Sequence, residues 1–446
     1  MVITRRDMVA LATAGLVSGC ASMPVIAGLG DPPRAVGQPA PTPAADSGYP
    51  GGELQKQFEL QRALSASPLV TGNAISLLDG GQAAFRAMFR AMQAATDSIN
   101  LEYFTFENVA CDGRLLGDVL LDRLAAGVRV NISYDAFGSS GTPGTFPDSL
   151  RRAGARVNVF NPLNPLQARA GWAPNHRDHR KIMVVDGRTG FTGGVNLDKV
   201  YENPPSAGVP ADGDSSKAYW RDVAVQIEGP AVAELQKLFF GTWREQKAPP
   251  VEQALYYPTL PRVGVQTVRI IGSSPGEEQP LYYASLLTAI AHATRRVWLS
   301  SGYFVPPEEE RRQLRRAARR GLDVRVVTPA FSDVESAVYA ARASYGDLLE
   351  AGVRIYEMHD AVLHSKLAVV DDTWTVVGSS NLDRRSVVFN NEADAIMLGH
   401  DIAGQVERVL QDYMSASRPV QLARWERRPV GERLEELKAR VWQYWM

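Results

Sequence analysis

Cysteine is nearly absent from this chain. Its 446 residues include two, Cys20 and Cys111, which excludes a disulfide-stapled fold. Cys111 reads as a small apolar filler near a strand end, not as a catalytic thiol. A surplus of one charge is missing too. The 48 Lys and Arg stand against 49 Asp and Glu, a formal net charge of -1. A general nucleic-acid binder is more often basic, so the balance weighs against that partner while leaving room for a local basic cleft. Long hydrophobic runs are also lacking. The apolar stretch Met8 to Gly19 falls well short of the roughly 20 residues that a membrane-crossing helix needs.

What is present begins with that stretch. It follows Arg5-Arg6 and closes on Cys20: a basic start, a short apolar segment, then small residues, the layout of an export signal. Val17-Ser18-Gly19-Cys20 resembles a bacterial lipoprotein processing site, and Arg5-Arg6 resembles a twin-arginine start. The first resemblance implies that Cys20 is lipidated and becomes the first mature residue. Residues 1–19 are then a signal peptide, and residues 20–52 an anchor with a Pro/Ala/Gly-rich tether.

From Glu53 the chain has ordinary globular composition, 45% hydrophobic and 22% charged, and length enough for two cores. A helix is expected over Glu53–Ala66. Phe85, Met88, Phe89 and Met92 recur at helical spacing, Ile99, Leu101 and Tyr103 alternate like a strand, Leu115 to Leu120 is helical again, and Val128 to Tyr134 is a strand. The layout then repeats: helix Leu281–Ala293, strand Val297–Ser300, helix Glu308–Arg320, strand Val324–Thr328. Glu102-Tyr103-Phe104 matches Gly302-Tyr303-Phe304, and Gly127-Val128-Arg129-Val130 matches the stretch from Gly321 to Val326. A duplication this long is not a solenoid repeat. It predicts an α/β fold of two similar α/β/α sandwich domains about a pseudo-two-fold axis, residues 53–248 and 262–446, with a Pro-rich linker at 249–261 and the active site between them. The arginine run from Arg311 to Arg320 reads as a solvated helix face, with an anionic-lipid contact as the alternative. The closing apolar positions Leu434, Leu437, Val441 and Trp445 read as a terminal helix docked on the core, with an interfacial helix as the alternative.

The duplication carries the chemistry. His179-Arg180-Lys181, then Asp186, then Gly193-Gly194-Val195-Asn196 reappear as His364-Ser365-Lys366, Asp371, and Gly378-Ser379-Ser380-Asn381. In both copies the Asn lies 17 residues after the His. Ile182–Val185 and Leu367–Val370 are buried-strand sequences, and Asp-Gly or Asp-Asp follows as a turn, so each copy is expected to be a β-hairpin. On a strand, residues i and i+2 share a face, which aligns His179 with Lys181 and His364 with Lys366. Two halves face to face assemble two His, two Lys and two Asn. Lys and Asn can stabilise charge on phosphoryl oxygens; one His can attack phosphorus while the other moves protons. The lysines supply the positive charge, so no metal or other cofactor is expected. Asp186 and Asp371 read as structural. The imidazoles need carboxylate partners: Glu392, which follows His364 by 28 residues, is the candidate for that half, and Asp222 the candidate for His179.

This motif pair resembles the phospholipase D superfamily. Within it the chain is most like bacterial cardiolipin synthases, through Leu101-Glu102-Tyr103-Phe104, Tyr134-Asp135-Ala136-Phe137-Gly138, Trp220-Arg221-Asp222, Tyr303-Phe304-Val305-Pro306 and Asn381-Leu382-Asp383-Arg384-Arg385-Ser386. The resemblance implies transfer of a phosphatidyl group between phospholipids through a phosphohistidine, with His179 as nucleophile and His364 as general acid and base. It implies phospholipids and a bacterial membrane as partners, a site complete in one chain, and no nucleic acid. With the lipoprotein-like start it implies export to the periplasmic face of a membrane in the cell envelope. The alternatives are a phospholipase D-type hydrolase, which differs only in using water as acceptor, and a nuclease of the same superfamily.

Overall fold

Seven strands of the first half line up beside seven of the second in one sheet. This is a computed structural model, which describes residues 23–24, 52–64, 67–164, 172–277 and 280–442. Cys20, the signal segment and nearly all of the tether lie outside the described residues, as does Trp445. The first half contributes β1 (Val70–Asp79), β2 (Ser98–Tyr103), β3 (Arg129–Asp135), β4 (Arg156–Phe160), β5 (Lys181–Val185), β6 (Thr189–Gly193) and β7 (Val223–Glu228). The second contributes β8 (Gln266–Ser273), β9 (Arg296–Ser301), β10 (Asp323–Pro329), β11 (Arg354–Met358), β12 (Lys366–Val370), β13 (Trp374–Gly378) and β14 (Asn390–Leu398), with β15 (Ser417–Pro419) at its edge. The order runs β4-β3-β2-β5-β6-β7-β1, then β8-β14-β13-β12-β9-β10-β11-β15. Each strand of the first half has its counterpart seven numbers on. The halves meet where β1 pairs antiparallel with β8, Val70 opposite Val268 and Asn73 opposite Gln266. An antiparallel pair of equivalent strands is what a two-fold axis through a sheet requires.

Helices cover both faces, giving the expected α/β class. On one face, helix Gly81–Ala94 buries Phe85, Met88, Phe89 and Met92 in a cluster with Ile99, Leu120 and Ile132; the matching face of the second half holds helices Leu281–Ala291 and Glu308–Arg319. On the other face, helix Val232–Glu245 and helix His400–Ser415 share one cluster, in which Val225 and Leu235 join Val369, Val377, Val406 and Leu410. That core crosses the boundary between halves, so the hydrophobic driving force joins them.

Several local expectations change. Tyr103-Phe104 and Tyr303-Phe304 are not equivalent: Tyr103 pairs with Lys181, but Ser301 is the residue that pairs with Lys366. The true counterparts are Phe106 and Phe304, each bridged to the residue after its motif's Asn, Leu197 and Leu382. A shared dipeptide suggested a match that strand register moves by two. The first helix is Glu53–Ala63, and it docks on the second half: Lys56 Nζ donates to the His292 carbonyl at 2.8 Å, and Glu53 pairs with Arg295 at 3.0 Å. The Pro-rich segment between halves is pinned to the first one, with Tyr256 buried among Phe239, Phe240 and Trp243. In helix Glu308–Arg319, Arg311 and Arg312 pair with Glu308 and Glu309, and Arg315 with Asp347 at 2.7 Å, in keeping with a solvated face. Helix Val430–Trp442 docks through Glu436 and Ala439, while Leu434 and Leu437, expected to face the core, are 51% and 60% exposed.

Candidate active site

Each motif forms its hairpin, β5–β6 and β12–β13. The turns are the same. Asp186 and Gly187 have φ of 52° and 61°, Asp371 and Asp372 of 50° and 57°, and Arg188 and Thr373 close them by donating to the Val185 and Val370 carbonyls. Two successive positive φ values match the right-handed strand twist. Asp186 and Asp371 sit at these turns, the ends of the hairpins away from His and Lys. The Asp186 carboxylate accepts from the backbone N–H of Thr96, Asp97 and Ser98, and Asp371 accepts from Thr294, Arg295 and Arg296. Each therefore ties the start of the neighbouring strand, β2 or β9, to its hairpin.

The histidines lie just before the hairpins, on connections that leave their own half. Arg177-Asp178 pairs parallel with Asn390-Asn391, and Val362-Leu363 pairs with Trp220-Arg221. The next backbone N–H continues each ladder: His179 donates to the Asn391 carbonyl at 2.9 Å and His364 to Arg221 at 2.8 Å. The residue that follows each partner segment is a carboxylate. Nδ1 of His179 therefore meets Glu392 Oε2 at 2.9 Å, and Nδ1 of His364 meets Asp222 Oδ2 at 2.7 Å. This reverses the pairing expected from sequence, where each carboxylate was assigned to the His of its own half. With Nδ1–H given to a carboxylate, Nε2 of a neutral imidazole keeps its lone pair.

Lys181 and Lys366 each donate to the carbonyl of the His two residues before, and Lys366 Nζ is also 3.0 Å from His364 Nδ1. Lys181 Nζ lies 5.4 Å from the Phe104 ring centre, and that ring is edge-on to His179. Asn196 and Asn381 return at the same end of the hairpins; the Asn196 side-chain Oδ1 accepts from Thr105 N–H at 3.4 Å, and Asn381 is buried with Oδ1 unbonded. All six residues are buried. Burial drives the His179 imidazole down to about 4 against the pull of Glu392, and drives the Lys181 ammonium down to about 7. His364 and Lys366 are lowered for the same reason. The Lys366 charge acts on His179 and the Lys181 charge on His364, so the two halves share one electrostatic pocket. Burial opposes charge on Glu392 and Asp222 as well, but His179 beside the first, and Lys366 and His364 beside the second, hold both carboxyls below their ordinary value.

Tyr201 was not foreseen. Its hydroxyl donates to Asp222 Oδ2 at 2.7 Å and lies 3.1 Å from His364 Nδ1. In the other half Ser379 does this work, donating to Glu392 Oε2 at 2.5 Å, with Asn390 on Oε1 at 3.1 Å. The position equivalent to Ser379 is Gly194, where a Cβ would stand 2.0 Å from Asp222 Oδ1. The shorter Asp needs a bare hairpin beside it, and a hydroxyl from elsewhere. Ser379 was visible as part of the Gly-rich turn; nothing in the local pattern around Tyr201 marked it. Trp220 and Tyr303 complete the surround of His364, with ring centres 5.3 and 5.9 Å away.

Two mirrored His-x-Lys hairpins, braced across a two-fold, define a phospholipase D-type enzyme. A family described as cardiolipin synthase, PLD-like domain, matches residues 88–203 and 286–414. Cardiolipin synthase A of Pseudomonas putida (strain W619) is 36% identical over 364 residues, 80% of this chain and 72% of that one. Cardiolipin synthase A of Pseudomonas aeruginosa (strain LESB58) is 34% identical over 400 residues, 89% and 76%. The crystal structure of phosphatidylserine synthase from Haemophilus influenzae Rd KW20 superposes with a TM-score of 0.62 at 12% identity, over 88% of this chain and 98% of that one, a likeness of fold. The chain belongs to the cardiolipin synthase family of phospholipase D-like proteins.

Proposed function

We propose that the protein is a phosphatidyltransferase that moves a phosphatidyl group from one phospholipid to the headgroup hydroxyl of another, making cardiolipin or a close relative. The observation that carries this is the crossed bracing, which leaves two imidazole Nε2 atoms available in one pocket with two ammonium groups. His179 Nε2 forms a P–N bond as the bond from phosphorus to the donor's headgroup oxygen breaks, and His364, which enters this step as the imidazolium with Nδ1–H on Asp222, gives its Nε2 proton to the departing alkoxide. The acceptor hydroxyl then returns a proton to His364, and its oxygen forms the new P–O bond as P–N breaks. Lys181, Lys366, Asn196 and Asn381 stabilise the charge on the non-bridging oxygens. Glu392 and Asp222 hold the tautomers and stabilise each imidazolium.

Phospholipid and a membrane are the partners this chemistry requires. Among the described residues no helix is long and apolar enough to cross a membrane, and a lipid on Cys20 would supply the attachment at the periplasmic face. Met23 packs against Tyr283, Leu287 and Val387. Three extended residues reach about 10 Å, so such an anchor would leave the body close to helix Arg384–Val388, which follows Asn381.

The test is to incubate the full chain with phosphatidylglycerol vesicles and identify products. Cardiolipin plus glycerol is expected. Phosphatidic acid alone makes the enzyme a hydrolase. No product, with His179→Ala and His364→Ala unchanged from wild type in any phosphodiester assay, overturns the reading.

A further inference from the structure

We propose that Arg177 and Arg385 form a second anion subsite beside His179, which takes the phosphodiester of the lipid accepting the phosphatidyl group. This rests on the transferase reading. Arg177 stands two residues before His179 on the segment paired with Asn390-Asn391, so the two share a face about 7 Å apart along the chain. Arg177 is 2% exposed. One guanidinium nitrogen donates to the Asn161 carbonyl at 3.2 Å and lies 3.6 Å from Asp135, while Nε and Nη2 have no partner. Arg385 reaches across from the second half to the Asn175 carbonyl at 3.4 Å. Burial lowers the Arg385 guanidinium, and the charge of Arg177 nearby lowers it further.

The carboxylates around them are occupied. Asp135 accepts from the N–H groups of Phe137, Gly138 and Asp178. Asp383 caps the helix at Ser386, and Glu392 holds His179. Among the described residues Arg385 makes no ion pair. Burying a guanidinium with unmade hydrogen bonds is costly, and a bound anion would complete those of Arg177.

The duplication indicates that the fold itself does not need these charges. Two residues before His364 stands Val362. Four after Asn196 stands Val200, as Arg385 stands four after Asn381. The last residue of β10, equivalent to Asp135, is Pro329. Val362 and Val200 are packed in the apolar cluster with Trp220 and Tyr201. One side of the pocket is thus apolar and the other carries a guanidinium pair, whose forked donors suit a phosphate. A donor phosphate at the histidines and an acceptor phosphate one glycerol away would occupy both.

Arg385→Val and Arg177→Val copy residues that the fold already accommodates in the other half; Arg385→Lys keeps the charge. Transfer from phosphatidylglycerol would be measured to three acceptors: phosphatidylglycerol, soluble glycerol phosphate, and isotopically labelled glycerol, whose exchange into phosphatidylglycerol is read from the label. Arg385→Val is expected to slow transfer to phosphatidylglycerol about tenfold or more and to leave transfer to glycerol nearly unchanged, with Arg385→Lys in between. A loss that extends to glycerol phosphate assigns the subsite to phosphate as such; a loss confined to the lipid assigns it to the lipid phosphodiester. Equal losses for all three acceptors, or none, in folded variants overturn the subsite. A wild-type enzyme that yields no phosphatidyl product overturns instead the function on which the subsite rests.

Discussion

Glu392, in the second half, accepts the hydrogen bond from Nδ1 of His179, in the first, at 2.9 Å. Asp222 returns the arrangement to His364. Each half therefore carries an imidazole it cannot orient alone, and the site exists only when the halves are joined.

Glu392→Gln keeps the shape of the contact and removes its charge. Turnover should fall about 10²- to 10⁴-fold, and the loss should lie in forming the covalent intermediate, as for His179 variants. Trapping of the phosphoenzyme from labelled lipid checks this; an intermediate that forms at the wild-type rate but fails to discharge would place Glu392 with the other histidine.

The pH dependence follows from burial. His179 stays neutral down to about 4, and Lys181 loses its proton above about 7. The kcat/KM profile reports the free enzyme. It should fall on the acid side near 4, where His179 takes up a proton. On the alkaline side it should fall first as His364, held below the ordinary imidazole value by burial, loses the proton it must donate, and again near 7 as Lys181 discharges. Lys181→Arg should remove only the step near 7. Stability has the opposite sense at the upper end. Below 6.5 the unfolded chain takes up the His179 proton first, so that group's contribution declines as pH falls toward 4. Between about 7 and 10.5 the unfolded chain keeps the Lys181 proton that the fold sheds, so stability rises with pH. Melting temperatures across both windows test these signs.

Asp371→Ala should damage the fold and spare the chemistry. It leaves the N–H groups of Thr294, Arg295 and Arg296 without their acceptor, a cost of about 1–3 kcal/mol. Denaturant midpoints should drop, while the folded fraction keeps its kcat. A large kcat loss at unchanged stability would show that Asp371 acts in the pocket.

Tyr201→Phe removes a donor from Asp222 and leaves that carboxylate more basic toward His364. The His364 imidazolium should then be easier to form, and the pH limb it controls should move up, with about a tenfold loss of rate. Ser379→Ala should instead move the limb controlled by His179. Identical profiles for the two variants would mean that neither hydroxyl sets a proton affinity.

Much of the fold was legible because its signals are local. Helix Gly81–Ala94 follows from Phe85, Met88, Phe89 and Met92 at helical spacing. The hairpins follow from a short apolar run before Asp-Gly or Asp-Asp, since that turn requires two positive φ values. The match of Tyr103-Phe104 to Tyr303-Phe304 failed because register depends on the pairing strand. The face expected to bury Leu434 and Leu437 failed because that helix could dock by either side, and it docks by Glu436 and Ala439.

The six pocket residues, His179, Lys181, Asn196, His364, Lys366 and Asn381, were determined by sequence alone, because a duplicated spacing is itself a covalent fact. Which carboxylate serves which imidazole was decided by the tertiary structure. The parallel bridges Arg177-Asp178 to Asn390-Asn391 and Val362-Leu363 to Trp220-Arg221 carry each histidine out of its own half. Distance along the chain carries no information about such a crossing, since 213 residues separate His179 from Glu392. Tyr201, Arg177 and Arg385 belong to the same category: their surroundings come from both halves, and only the joined sheet brings those together.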